Sequence, residues 1–412
     1  MSKRTKIIIG IVLAICVAAL LFYYFYYSPN TTTNNNGFPS SGNITSSSTN
    51  NVSNGTETGK QSNQNGQGTN QAQTSILREI TPGPISGAVI FNTSNTANIR
   101  YVDRGTGHVY QTSADSSAVN RITNTTIPKI NETIFNPTGS SFVARYLKSD
   151  DETIQSFFGN IKTSSSSVLT ANGSVTGDFM PVNIKQVAIS PSGNKIFYLT
   201  DKNLGTVGVI ANVDGTQKLQ IFTSDLKEWI VFWPKEDTII LNTKASVMSP
   251  GYVFTLNSKT GKLTKILDSF NGLTTLFNQN LSYGLYSESR NGSFSLNILN
   301  VKNNNSINTT VQTLPEKCVW SKNDATVAYC AVPTIVLNGD YPDAWYQGVV
   351  SFSDDIWKLN ATNGTAEIIA RLRDLTTEDI DGINLSLSQK DDYLLFTNKT
   401  DLSLWMLKIT NN

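Results

Sequence analysis

Between residues 76 and 412, apolar and polar positions alternate in short runs rich in Val, Ile, Tyr, Phe and Thr, broken by Gly, Asn, Asp and Ser. A period of two marks half-buried strands, and no amphipathic helix of three turns stands out. The clearest unit is VAISPSGNKIFYLT, Val187 to Thr200. Its Ser-Pro-Ser-Gly-Asn makes a turn, because proline presets φ and Gly or Asn accepts a positive φ. Weaker copies turn near Asn92, Asn136, Trp233, Asn278, Ser321 and Ser388, so that successive turns lie 44, 54, 43, 45, 43 and 67 residues apart. A second hairpin follows in most units, over 108–123, 207–222, 251–267 and 355–372. Two hairpins per repeat predict seven four-stranded blades in a ring, since each blade must bury its faces against its neighbours. The alternative is a β-sandwich with coincidental spacing.

The last unit ends one strand short after residues 403–410, while 75–81 (SILREIT) is a spare strand before the first. Pairing the two would close the ring and remove an open edge. SPSGNKIFYLT resembles the Ser-Pro-Asp-Gly turn of TolB-like propellers, relatives of WD-repeat propellers. YVFTLNSKTGKL and IWKLNATNGTAEI are similar to the second-hairpin strand of that family. The resemblance covers 76–412 and implies an all-β seven-bladed propeller. It implies little about activity, because propellers host many. Most turns lack the acidic residue of the family, and the Trp-Asp dipeptide of true WD repeats is missing.

Ahead of the repeats, Lys3, Arg4 and Lys6 precede an uncharged run of 21 residues, Ile7 to Tyr27. As a helix it would span about 31 Å, close to the ~30 Å hydrocarbon core of a bilayer. The basic residues before it predict a cytoplasmic N-terminus (1–6), a single transmembrane signal anchor (7–27) and an extracytoplasmic remainder. Tyr23, Tyr24, Tyr26 and Tyr27 suit the outer interface. A cleaved signal peptide would want a shorter core and a small-residue cleavage site. A lipoprotein reading at Cys16 meets a bulky Ile15. Residues 28–75 are mostly Asn, Ser, Thr, Gly and Gln, which predicts a disordered linker. Its expected reach is about 35–40 Å. Anchor, linker and propeller together are similar to membrane-anchored bacterial propellers.

The chain carries 32 Lys and Arg against 31 Asp and Glu, which speaks against a nucleic-acid partner. With one histidine and three cysteines, two-His and Cys₄ metal sites are excluded, and no metal or cofactor is expected. His108 is the only candidate base for a serine nucleophile, and no Gly-x-Ser-x-Gly elbow accompanies it. It reads as a turn-proximal blade residue. Ser321–Thr326 faintly echoes a sialidase Asp box, but Trp320 precedes that turn and arginines are scattered. The neighbouring acids Asp150–Asp151–Glu152, Asp354–Asp355 and Asp391–Asp392 would point to opposite faces of a strand and read mostly as solvated turn charges. Asn-x-Ser/Thr sequons, such as those at Asn131, Asn280, Asn360 and Asn398, are read as unmodified for a bacterial source. No catalytic residue is assigned.

The longest step holds an insertion, 331–355, between the second and third strands of the sixth blade. Tyr341, Trp345 and Tyr346, with Asp340 and Asp343, make an aromatic and acidic cluster. Tyr341, Asp343, Trp345 and Tyr346 are candidate binding residues, or else the aromatics pack over the propeller's own end. The 54-residue step, around 159–182, reads as a flexible loop. Cys318 and Cys330 flank the sixth-blade turn, and a bulged hairpin would place them opposite each other as a disulfide. A tight turn pairing Trp320 with Thr326 would leave them diagonal, as two thiols. The function expected is a binding scaffold for a protein or cell-envelope component at the cell membrane. The alternative is a hydrolase of envelope glycans or peptides using carboxylates at the channel. A ring of inward-facing acids would favour the enzyme, and an apolar and neutral channel the scaffold.

Overall fold

A computed structural model describes residues 75–163, 173–202 and 205–409. The expected anchor and all but the last residue of the linker lie outside these. No helix among the described residues is long and apolar enough to cross a membrane. The described chain forms seven four-stranded antiparallel sheets, each built from consecutive strands except the last. The inner strands are Ile85–Thr93, Glu132–Phe135, Ile184–Ile189, Trp229–Lys235, Thr275–Phe277, Cys318–Trp320 and Gly382–Leu387. Five of the seven turns anticipated from sequence fall between the inner strand and the second strand of a blade, and the two placed near Asn92 and Trp233 fall in the last residues of the inner strand, just ahead of that turn. Residues 174–179, expected in a flexible loop, are instead part of the outer strand of blade 2.

A short polar residue at the end of the inner strand recurs in four blades, and its side chain organises the turn. Asn136 Oδ1 accepts from Ser141 N at 3.2 Å, and Ser190 Oγ from Lys195 N at 3.1 Å. Asn278 Oδ1 accepts from Ser282 N at 2.9 Å, and Ser388 Oγ from Tyr393 N at 3.0 Å. All four residues are buried. Each side chain therefore satisfies a backbone donor that the tight turn leaves without a ladder partner. Gly139 (φ 68°) and Gly193 (φ 76°) occupy the fourth turn position, where a left-handed backbone favours glycine.

Seven apolar clusters sit between neighbouring blades, and an eighth lies beneath the insertion. The ring closes as the spare strand required: Leu77–Thr81 pairs antiparallel with Leu404–Lys408, Leu77 opposite Leu407 and Glu79 opposite Trp405. At the inner edge, blades 1 and 2 approach so closely that a Cβ on Gly87 would lie 2.0 Å from the carbonyl oxygen of Thr133. Gly87→Ala is expected to destabilise the fold by roughly 1–3 kcal/mol through overpacking. Thermal unfolding at parental temperature would show that the inner strands can part without cost.

Candidate functional site

Two regions gather side chains with chemical potential. The first is a central cavity of about 930 Å³. The inner strands of blades 1 to 4 line it, and Gln279, Lys322, Asn384 and Gln389 of the other three blades border it. Phe91, Phe135, Phe232 and Trp233 supply aromatic surface, and Gln186, Gln279 and Gln389 supply neutral amides. The charged lining residues are Glu132 and Lys322. Glu132 is already ion-paired with Arg145. The cavity thus carries mostly apolar and neutral groups, with one carboxylate, Glu132, and one ammonium, Lys322.

The second region lies on the face that carries the links between blades. Lys317 ends a 3₁₀ turn, Pro315–Lys317, just before the inner strand of blade 6. Asp354 opens the third strand of that blade, and Asp381 immediately precedes the inner strand of blade 7. All three side chains are 0% exposed. Lys317 Nζ contacts Asp381 Oδ1, donates to Asp354 Oδ2 at 2.8 Å and to the Gly382 carbonyl at 3.1 Å. Asp354 Oδ2 also accepts from Gly382 N at 2.6 Å, while its Oδ1 has no protein partner. Asp381 Oδ2 accepts from Trp345 Nε1 at 2.8 Å and Phe352 N at 3.1 Å. The rings of Trp345 and Phe352 each lie 5.3 Å from the ammonium. Burial, opposed by Lys317 and reinforced by Asp381, pushes the Asp354 carboxyl up to about 6.

The insertion supplies the roof of this cluster. Trp345 is 3% exposed and Tyr341 fully buried, packed with Phe294, Leu314 and Phe352. Tyr346 Oη donates to Glu316, which also accepts from Thr274 Oγ1 at 2.7 Å. Burial raises both Glu316 and Tyr346 above their ordinary ranges. Asp343 Oδ2 accepts from Val247 N at 2.7 Å. Of the four candidate binding residues, Tyr341 and Trp345 are buried over the end of the ring, and Asp343 and Tyr346 are half-buried beside them. The polar tip of each has a partner within the protein.

Other expectations are placed as follows. Cys318 and Cys330 stand opposite each other with Cα atoms 4.0 Å and sulfurs 2.11 Å apart. Trp320 pairs with Ala328 because the intervening turn is wider than the tight alternative, Ser321 N bonding to the Val327 carbonyl at 2.9 Å. His108 is buried, with Nε2 3.1 Å from Thr126 Oγ1, and burial lowers its pKa. Asp391 staples blades 6 and 7 by accepting from Ser321 Oγ at 2.6 Å. Asp354, read from sequence as a solvated charge, is instead wholly buried. Nothing in the local sequence around Lys317 or Asp381 marks either as a site residue. Among the described residues, no group of three or more His, Cys, Asp or Glu side chains comes together to hold a metal ion.

No protein-family sequence profile matches the chain, and no curated protein sequence does. Similar solved structures do exist. An oligogalacturonate lyase in complex with manganese superposes with a TM-score of 0.55 at 11% identity, over 83% of this chain and 95% of that one. The β-propeller domain of the Trilobed protease from Pyrococcus furiosus gives 0.49 at 11% identity, over 80% and 98%. A puromycin-hydrolysing peptidase of Mycobacterium tuberculosis gives 0.48 at 11% identity, over 78% of this chain but only 52% of the peptidase. At this identity the superposition on the lyase shows a shared fold and nothing about chemistry.

Proposed function

We propose that this chain is a TolB-like binding propeller, held outside the cell membrane by residues 7–27, that engages an uncharged segment of a protein or cell-envelope partner at its central cavity. The observation that carries the reading is the lining of that cavity: aromatic faces and neutral amides, with one carboxylate, itself paired, and one ammonium, Lys322. Aromatic surface with a few hydrogen-bonding groups suits a neutral peptide or glycan, and offers little to a polyanion. A glycosidase would need two carboxylates about 5–10 Å apart, and Glu132 has no second carboxylate beside it in the lining. The Cys318–Cys330 pair supports placement in an oxidising compartment. The uncharged run behind Lys3, Arg4 and Lys6 supports the anchor.

A photoreactive amino acid at Phe232, which lines the cavity and is 38% exposed, is expected to crosslink a discrete partner on intact cells. The same probe at Leu219, 56% exposed on the outer strand of blade 3, should not. Equal labelling from both positions, or from neither, would remove the cavity as the binding site. Loss of a measurable hydrolytic activity in Glu132→Gln would favour the enzyme instead.

A further inference from the structure

We propose that Lys317 and Asp381 are joined by a covalent amide between their side chains, formed by the folded protein itself with Asp354 as the proton-transfer group. Every component of an acyl-transfer site converges here, in a place that no substrate can enter. The nucleophile is Lys317 Nζ, in contact with Asp381 Oδ1 across 64 residues of sequence. The electrophile is Asp381 Cγ. Its other oxygen, Oδ2, faces two N–H donors, Trp345 Nε1 at 2.8 Å and Phe352 N at 3.1 Å. Two donors on one carboxyl oxygen are the arrangement that stabilises a tetrahedral oxyanion. Asp354 touches the same nitrogen at 2.8 Å and has one oxygen without a protein partner. Its carboxyl, pushed up to about 6 by burial, is suited to take and return a proton near neutral pH.

The step balances without any co-reactant. One proton of the Lys317 ammonium passes to Asp354 and on to Asp381 Oδ1. The freed lone pair attacks Asp381 Cγ, and the C–N bond forms while negative charge gathers on Oδ2. A second nitrogen proton follows through Asp354 to Oδ1, the Cγ–Oδ1 bond breaks, and one water leaves. The nitrogen keeps one hydrogen. An ammonium and a carboxylate have become a neutral amide, so charge is conserved. Amide formation is unfavourable in bulk water, but here it removes two charges from a site walled by Trp345 and Phe352, where buried charge is costly. Fixed proximity of the reacting groups lowers the barrier. The insertion thereby gains a role its packing alone does not explain: Trp345 both excludes water and supplies an oxyanion donor.

Mass spectrometry of the purified full chain decides the matter. The peptide carrying Lys317 is expected to appear branched, joined to the peptide carrying Asp381, with a combined mass lower by one water. Trypsin should fail to cut after Lys317. The Cys318–Cys330 bridge, reduced beforehand, removes only two hydrogens and does not obscure the loss. Asp354→Asn is expected to abolish or greatly slow the linkage, and Trp345→Phe, which keeps a ring but loses the N–H, to slow it. Unlinked peptides with normal cleavage after Lys317 in the parent protein would overturn the proposal, whatever the variants do. A bond that fragmentation maps to Asp354 would overturn the assignment of the electrophile. Linkage at the parental rate in Asp354→Asn would overturn the role of Asp354.

Discussion

Deleting residues 75–81 is expected to remove most of the protein's stability. Leu77 and Ile80 are 5% and 8% exposed, in the clusters that join blade 7 to blades 6 and 1. Burying such side chains is worth about 1.5–3 kcal/mol each. Arg78 also ties the closing strand to blade 1, donating to the carbonyls of Ser113, at 3.0 Å, and Ser116. Each such hydrogen bond adds about 1 kcal/mol net. The total approaches the 5–15 kcal/mol on which a folded domain typically rests. The deletion also bares the edge of Leu404–Lys408, a template for pairing with other chains. A shortened chain that melts with the parent and stays monomeric would show that the ring does not depend on this strand.

Lys317→Met should have the next largest effect. Whether Lys317 stands as the ammonium or in the amide proposed above, its removal leaves Asp354 and Asp381 as free carboxyls at 0% exposure with neither cation nor amide in place. Breaking a buried ion pair from one side costs about 3–5 kcal/mol. The loss should depend on pH in an unusual direction. The Asp354 carboxyl is raised from 3.8 to about 6 in the folded protein. Between those values the folded state holds a proton that the unfolded state has released, so folding is favoured as pH falls through about 6 and the gain levels off below 3.8. The folded value of about 6 already includes the lowering by Lys317, so Lys317→Met should hold the Asp354 carboxyl higher still and narrow its deficit against the parent as pH falls from 7 toward 4, which chemical denaturation of both proteins at a series of pH values reads directly. A pH-independent deficit would mean that lost packing, not uncompensated charge, is responsible.

The ring was legible from sequence because its determinants are local. Ser190 and Gly193 encode a turn within a few residues, and Asn136, Asn278 and Ser388 repeat the same device, so their spacing reveals the blades. The closing strand was legible too, as an unpaired run at one end and a missing one at the other. The buried cluster was not, because its pairings are remote. Lys317 lies in Pro-Glu-Lys-Cys, Asp354 beside a second aspartate, and Asp381 in Glu-Asp-Ile-Asp-Gly. Each looks like a solvated turn charge until blades 6 and 7 come together. The faint signal was position: all three directly precede or begin a strand, on the face where the insertion lands. The insertion itself was located correctly, but exposure cannot be read from composition, and Trp345 turned inward to Asp381.

Closing the ring with the first strand also sets a schedule. Ribosomes add ~5–20 residues per second, so roughly 15–65 s separate the synthesis of Leu77–Thr81 from that of its partner Leu404–Lys408. Throughout that interval the early strand lacks its ladder partner, so its edge is free. Two charges, Arg78 and Glu79, occupy the middle of its five residues. Charge at such positions disfavours premature pairing with other nascent chains. The same residues that later face Met406 and Trp405 thus guard the strand's edge until the last blade emerges.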